Sequence, residues 1–123
     1  VPCDALCLAV GLTPLSELCW QAGCHMEFIR ELSGHVPVCG EDLMTTVEGI
    51  YAAGDVSGIE EASSAMVEGR LAGYAAAAAL GYDVEKSLSE VEAAKAELKE
   101  LRSGPMGGKI RAGLDKVAQK RGA

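Results

Sequence analysis

The sequence predicts an α/β fold: a small sheet with a β-hairpin, followed by a helical C-terminal third. Three features predict it. Two apolar runs, residues 4–10 and 49–55, end at Gly11 and at the step Gly54-Asp55, and both read as strands. An alternating segment, residues 25–38, is broken by Ser33-Gly34 and reads as a hairpin. From residue 60 onward apolar residues recur at helical spacing, in a Glu/Lys-rich setting after residue 83.

Each element follows from its residues. In the run 4–10, Asp4 is followed by continuously apolar residues up to Val10, as in a strand buried on both faces. Thr13 is the expected N-cap of a short helix with Pro14 at its first position, an apolar face of Leu15, Leu18, Cys19 and Ala22, and a stop at Gly23. Residues 25–32 alternate, with Met26 and Phe28 on one face and Glu27 and Glu31 on the other. Residues 35–38 return as an arm that Pro37 confines to an edge, and residues 40–42 are loop. After the strand at 49–55, Ser57 and Glu60 fit a capping box. A long helix from about residue 60 to Leu80 should stop at Gly81 and lay a small face (Ala65, Gly69, Gly73, Ala76) against a sheet. Leu88, Val91, Ala94, Leu98 and Leu101 mark a further helix. A breaker loop at 104–108 precedes a basic amphipathic helix carrying Ile110, Leu114, Val117 and Ala118.

With 123 residues the chain suits one compact unit. Nearly half its residues are hydrophobic but only five are aromatic, so the core should be thin and closely packed. The net charge of −7 argues against nucleic-acid binding. Residues 1–82 carry 2 basic and 11 acidic side chains, whereas residues 83–123 carry 9 and 7. The boundary is therefore placed between segments 1–82 and 83–123. The longest apolar run, residues 71–80, is too short to span a bilayer. Five cysteines (Cys3, Cys7, Cys19, Cys24, Cys39) show neither zinc-site nor C-x-x-C spacing. They read as reduced, buried thiols in a cytoplasmic protein, with no metal site. The start at Val1-Pro2-Cys3-Asp4 runs straight into the apolar stretch and reads as a cut through a longer protein.

The chemistry is concentrated at residues 45–62. A strand runs into Gly54 and then an acid, and a helix follows with its first amides uncovered. Gly54 lets a ligand approach the backbone. Asp55 stands at a strand's carboxyl end, where open α/β sheets bind ligands. Its carboxylate suits sugar-like hydroxyls and repels phosphate, while the helix N-terminus favours an electron-rich group. An isolated Gly-Asp step would read simply as a turn.

In context the segment resembles the second flavin-contact motif of the two-dinucleotide-fold flavoenzymes, the pyridine nucleotide-disulfide oxidoreductase-like proteins. Thr46, Gly49, Ile50, Tyr51, Ala52, Gly54 and Asp55 match that motif. Residues 4–14 resemble the strand by which the family's NAD(P) domain returns to the FAD domain, and the order and spacing of the two motifs match as well. The resemblance covers residues 4–80 and implies an incomplete, Rossmann-like FAD-binding sheet. It implies that Asp55 binds the ribityl chain, that Gly54 permits its approach, and that backbone groups near Glu61 and Ala62 face the flavin and favour its reduced, anionic form.

The run 54–73 is similar to the group of hydrogen cyanide synthase, opine oxidase, dye-linked proline dehydrogenase and sarcosine oxidase large subunits. That likeness implies a fragment of an FAD-dependent amine or amino-acid oxidoreductase, inactive alone. Its partners would be FAD, missing N-terminal FAD and NAD(P)-type domains, and other subunits of a heteromeric complex. The G-x-G-x-x-G of the other half-site is not in this chain. The iron–sulfur segment common in the group would lie beyond it, since no cysteine follows Cys39. No catalytic residue is assigned. The alternative is an interaction or scaffold domain that keeps the fold without the chemistry; a thiol or metal protein is disfavoured by the cysteine spacing.

Of the remaining residues, His25 and His35 read as surface groups, Glu60 and Glu61 as helix-start charges, and Trp20 as core or interface. Glu68 and Arg70 are expected on the exposed or interdomain side of the long helix, and the resemblance implies a local ion pair between them. The basic C-terminal helices read as solvated faces.

Overall fold

The computed structural model describes residues 2–121; Val1, Gly122 and Ala123 fall outside it. The chain is mixed α/β, with a two-stranded antiparallel sheet and a helical C-terminal part. Among the described residues there are four helices, α1 (Glu17–Gln21), α2 (Ala62–Ala79), α3 (Val84–Leu101) and α4 (Gly108–Arg121), and a hairpin of β1 (Met26–Ile29) and β2 (Gly34–Pro37); α4 packs on the hairpin region and α2 on α3.

The hairpin pairs Met26 with Pro37, Glu27 with Val36, Phe28 with His35 and Ile29 with Gly34. It turns through a 3-10 turn, Arg30–Leu32, and Ser33 in the left-handed region at φ 70°. Met26 and Ile29 are buried while Phe28 is exposed, so the inward face differs from the simple alternation read in the sequence. The 3-10 turn resets the phase and brings Leu32 into the core.

Both helix stops at glycine are Schellman motifs. At the end of α2 the Tyr82 amide donates to the Ala77 carbonyl (2.9 Å) and that of Gly81 to Ala78 (3.0 Å), with Gly81 at φ 80°. Gly23, at φ 78°, closes α1 in the same way through Cys24 to Cys19 and Gly23 to Trp20.

Three clusters form the core. The first joins Ile29, Leu32, Val36 and Val38 of the hairpin region to Val117 of α4, with Ile110 and Leu114 beside them. The second gathers Cys19, Cys24, Met26 and Ala52. The third zips α2 onto α3 through Val67, Leu71, Ala94 and Leu98. The charge asymmetry of the sequence becomes an interface: Lys116 reaches Glu31 (2.6 Å), Lys120 reaches Glu27 (3.4 Å) and Lys95 reaches Glu41 (3.4 Å). These pairs are solvent-exposed on at least one side and contribute little individually.

Several expectations are corrected. Residues 4–10 form no strand; Leu6, Leu8 and Val10 are 75%, 73% and 92% exposed. A strand needs a neighbour for its backbone groups, and among the described residues none pairs with this run. Helix α1 begins at Glu17 with Ser16 as N-cap, not at Thr13; Leu15 lies before it, and both Leu15 and Leu18 are exposed. Pro14 instead lies over the hairpin turn, where a Cβ added to Gly34 would meet its Cδ at 2.9 Å. Residues 49–55 make only a short antiparallel return, a Met44–Tyr51 bridge flanked by Thr45 N–H to Ile50 (2.8 Å) and Ala52 N–H to Leu43 (3.0 Å).

The capping box does not form: α2 starts at Ala62, with Glu61 as N-cap and no side-chain cap. Gly69 and Gly73 are exposed and face open space, because α2 buries a different stripe (Ser64, Val67, Glu68, Leu71, Ala75) against α3. Ala118 is exposed. Cys3 and Cys7 are exposed, whereas Cys19 and Cys24 are buried and Cys39 is half-buried; all five are free thiols. Burial, and then the neighbouring Cys19 thiol, push Cys39 up to about 12.

Candidate functional site

Gly54 and Asp55 open a 3-10 turn, Gly54–Ser57, that follows the buried Ala52 and precedes α2. Ala53 is extended and Gly54 has φ 77°, so the chain reverses at a conformation that an L side chain resists. A Cβ at Gly54 would meet that of Ala65 at 3.6 Å, an ordinary contact, so this glycine is required for its backbone angle. The Asp55 carboxylate is exposed, and its carbonyl accepts from Gly58 N–H (3.3 Å). Glu61 and Ala62 are exposed at the start of α2, whose first amides have no side-chain cap. The turn packs against α2, so Gly54 and Asp55 lie near the helix that Glu61 and Ala62 begin.

Behind the turn lies a buried ionic cluster that the sequence did not reveal. Glu68 is 2% exposed. Its Oε2 accepts from the Gly54 N–H at 2.6 Å and from the Ser57 hydroxyl at 3.3 Å; that hydroxyl also donates to the Gly54 carbonyl at 2.8 Å. Its Oε1 accepts from the Arg102 guanidinium. Arg102 also grips Glu60, through Nε at 3.1 Å and through Nη2. Side-chain exposure is 13% for Arg102, 8% for Glu60 and 3% for Glu68.

This arrangement explains two corrections. Glu60 leaves the capping box for Arg102, and Ser57 turns back to Gly54. Glu68 and Arg70 do not pair with each other: Glu68 is buried, and Arg70 reaches Glu97 on α3. Burial raises the Glu68 pKa, opposed by the Gly54 amide and Arg102 and reinforced by the like charge of Glu60. Burial works against the Arg102 charge, but Glu60 and Glu68 outweigh it and hold the guanidinium protonated. The signal in the sequence was an acid at position 68 in phase with Ser64, Val67, Leu71 and Ala75: a carboxylate in an apolar stripe needs a buried partner.

The other candidates are structural. Thr46 Oγ1 accepts from the His25 amide at 2.8 Å and so holds the hairpin base. His25 lies 3.3 Å from Glu27 at the surface. His35 stands edge-on between Trp20 and Phe28, with centroids 5.6 and 5.1 Å away. Trp20 is 53% exposed and borders an open groove with Phe28, His35 and Pro14, so it is not core. Among the described residues no group of three or more His, Cys, Asp or Glu is placed to hold a metal ion, and no helix is long and apolar enough to cross a membrane.

An exposed carboxylate in a turn packed on a helix with uncapped first amides offers an acceptor for hydroxyl groups and donors for an electron-rich group such as a carbonyl oxygen, and FAD carries both kinds of group. Comparison with known proteins agrees in class. Residues 1–69 match the family described as pyridine nucleotide-disulphide oxidoreductase, and the chain belongs to that family. It is similar to an opine oxidase subunit from Agrobacterium tumefaciens (strain Ach5), at 41% identity over 65% of this chain and 16% of that protein. It is also similar to the corresponding opine oxidase subunit from Rhizobium meliloti, at 37% identity over 82% of this chain and 18% of that protein. The chain thus spans less than a fifth of the length of these relatives. No solved structure matches it.

Proposed function

We propose that this chain supplies half of the flavin site of an FAD-dependent oxidoreductase acting on an amine or amino acid, of the kind the name opine oxidase describes. In this reading residues 1–82 are the C-terminal segment of the FAD domain, and residues 83–123 are a helical extension. Asp55 accepts hydrogen bonds from the ribityl hydroxyls, and the open amides at Glu61 and Ala62 face the electron-rich edge of the ring system. When bound, FAD would supply the two-electron oxidation.

The observation that carries the reading is the exposed Asp55 turn packed beside an uncapped helix start, within the segment matched by the family. The exposed apolar run Leu6, Leu8 and Val10 is compatible with it, having the composition of a strand but no pairing partner among the described residues. The adenine, pyrophosphate and substrate contacts come from other sequence, and the chain alone does not turn over. The relatives are named as subunits, which supports further polypeptides as partners.

The test is a titration of FAD into the isotopically labelled chain, following backbone amide shifts, with Asp55→Ala as control. Shifts clustered at residues 54–62 and lost in the variant are expected. Shifts scattered over the surface, or equal in the variant, contradict the reading and favour a scaffold domain.

A further inference from the structure

We propose that Arg102, in the helical extension, is a positioning residue for the flavin-contact turn: its grip on Glu68 and Glu60 sets the Gly54–Asp55 backbone. The inference rests on the flavin reading above and deepens it. The chain of contacts is continuous. Arg102 holds Glu68 Oε1, and Glu68 Oε2 holds the Gly54 amide, the residue before Asp55. The same guanidinium holds Glu60, adjoining the Glu61 N-cap of α2. One cation thus ties together the two elements meant to face the ligand, the turn and the helix start.

The position of Arg102 makes this more than packing. It follows the last residue of α3 and lies outside residues 1–69. The extension, otherwise a helical cover, therefore contributes to the geometry of the site. The arrangement also consumes the Gly54 N–H internally, so this amide is a strut and not a ligand donor. Arg102 touches no ligand itself and acts only through Glu68 and Glu60.

The charged and titratable groups facing Glu68 are Glu60 before α2, Arg102 after α3 and the Cys39 thiol. The Gly54 amide proton reports directly on the Glu68 carboxylate, so its resonance follows Glu68 ionisation. In Arg102→Met the lost cation should raise that titration midpoint by about one pH unit or more. Arg102→Lys should bring it most of the way back. Glu60→Gln, which removes the competing like charge, should move it down. The last variant keeps the inference open to refutation if Arg102→Met fails to fold.

The experiment combines this titration with FAD shift perturbation on the labelled chain. The inference expects Arg102→Met to weaken the FAD-induced shifts at Asp55, Glu61 and Ala62 about tenfold in dissociation constant, with recovery in Arg102→Lys. Midpoints that do not move in Arg102→Met or in Glu60→Gln overturn it. Moved midpoints with undiminished FAD shifts overturn it while leaving the flavin reading intact. Absence of FAD from the protein expressed from the complete reading frame that includes these residues overturns the flavin reading, and this inference with it.

Discussion

Removing the cation from the Glu60–Arg102–Glu68 cluster should destabilise the fold in a pH-dependent way. Arg102→Met keeps the length of the stem and leaves two carboxylates with 8% and 3% side-chain exposure facing each other. Breaking a buried pair from one side costs about 3–5 kcal/mol. The chain can relieve this by protonating Glu68, whose pKa is already raised by burial. From an ordinary value of 4.5, protonation at pH 7 would cost about 3.4 kcal/mol, and because the parent's Glu68 already lies above that value the loss relative to the parent stays below this figure.

The sign follows from linkage. A carboxyl with a raised folded pKa stabilises fully below its unfolded value, and that contribution is lost as pH rises through the folded value. The parent's Glu68 pKa is itself raised, so the variant should track the parent at low pH and fall behind, by up to about 1.4 kcal/mol per pH unit, only above the parent's own folded Glu68 value, where the variant still holds the proton. Urea unfolding followed by far-ultraviolet circular dichroism from pH 4.5 to 8 measures the gap. In Arg102→Met/Glu68→Gln the deficit at pH 7 should shrink by about 2 kcal/mol relative to the sum of the single changes. A deficit below about 1 kcal/mol that ignores pH would refute the reasoning, because it would mean the cluster is effectively solvated.

Other changes probe the packing around this centre. Gly73→Ala should stabilise the chain by about 0.5–1 kcal/mol, since the position is helical and an added Cβ meets nothing within 4 Å; thermal unfolding reads it, and a loss would mean that another surface covers this face. Gly113→Ala should destabilise by about 1–3 kcal/mol despite better helix propensity, because its Cβ would lie 2.7 Å from Leu32 Cγ; a melting temperature equal to or above the parent's would displace α4 from the hairpin. Alkylation at pH 8 followed by mass spectrometry should label Cys3 and Cys7 first and Cys39 slowly, since thiolate is the reacting form and burial pushes Cys39 up to about 12. Early labelling of Cys39 would contradict the second core cluster.

What the sequence made legible is what local physics decides. Helix α3 was visible in the spacing of Val91, Ala94 and Leu98, the α2 stop in Gly81, and the hairpin in the break at Ser33-Gly34. What it hid depends on partners distant in the chain. The run 4–10 has strand composition, but composition cannot supply a neighbour. Ser57 and Glu60 have the spacing of a capping box, yet each finds a stronger partner, Gly54 with Glu68 in one case and Arg102 in the other. Glu68 could be flagged by its phase on α2, but the guanidinium that answers it lies 34 residues later. For the same reason the small face of Ala65, Gly69, Gly73 and Ala76 reads as the buried one in sequence, although Val67 and Leu71 take that place.

The central claim is that the turn at Asp55 is a flavin contact. It is tested most directly by the flavin content of the protein expressed from the complete reading frame that includes these residues, compared with the same protein carrying Asp55→Ala. The account predicts stoichiometric FAD in the first and loss of most of it on dilution in the second, with both melting alike once stripped of flavin. Full retention of FAD by Asp55→Ala, with an unchanged flavin absorbance spectrum, would contradict it.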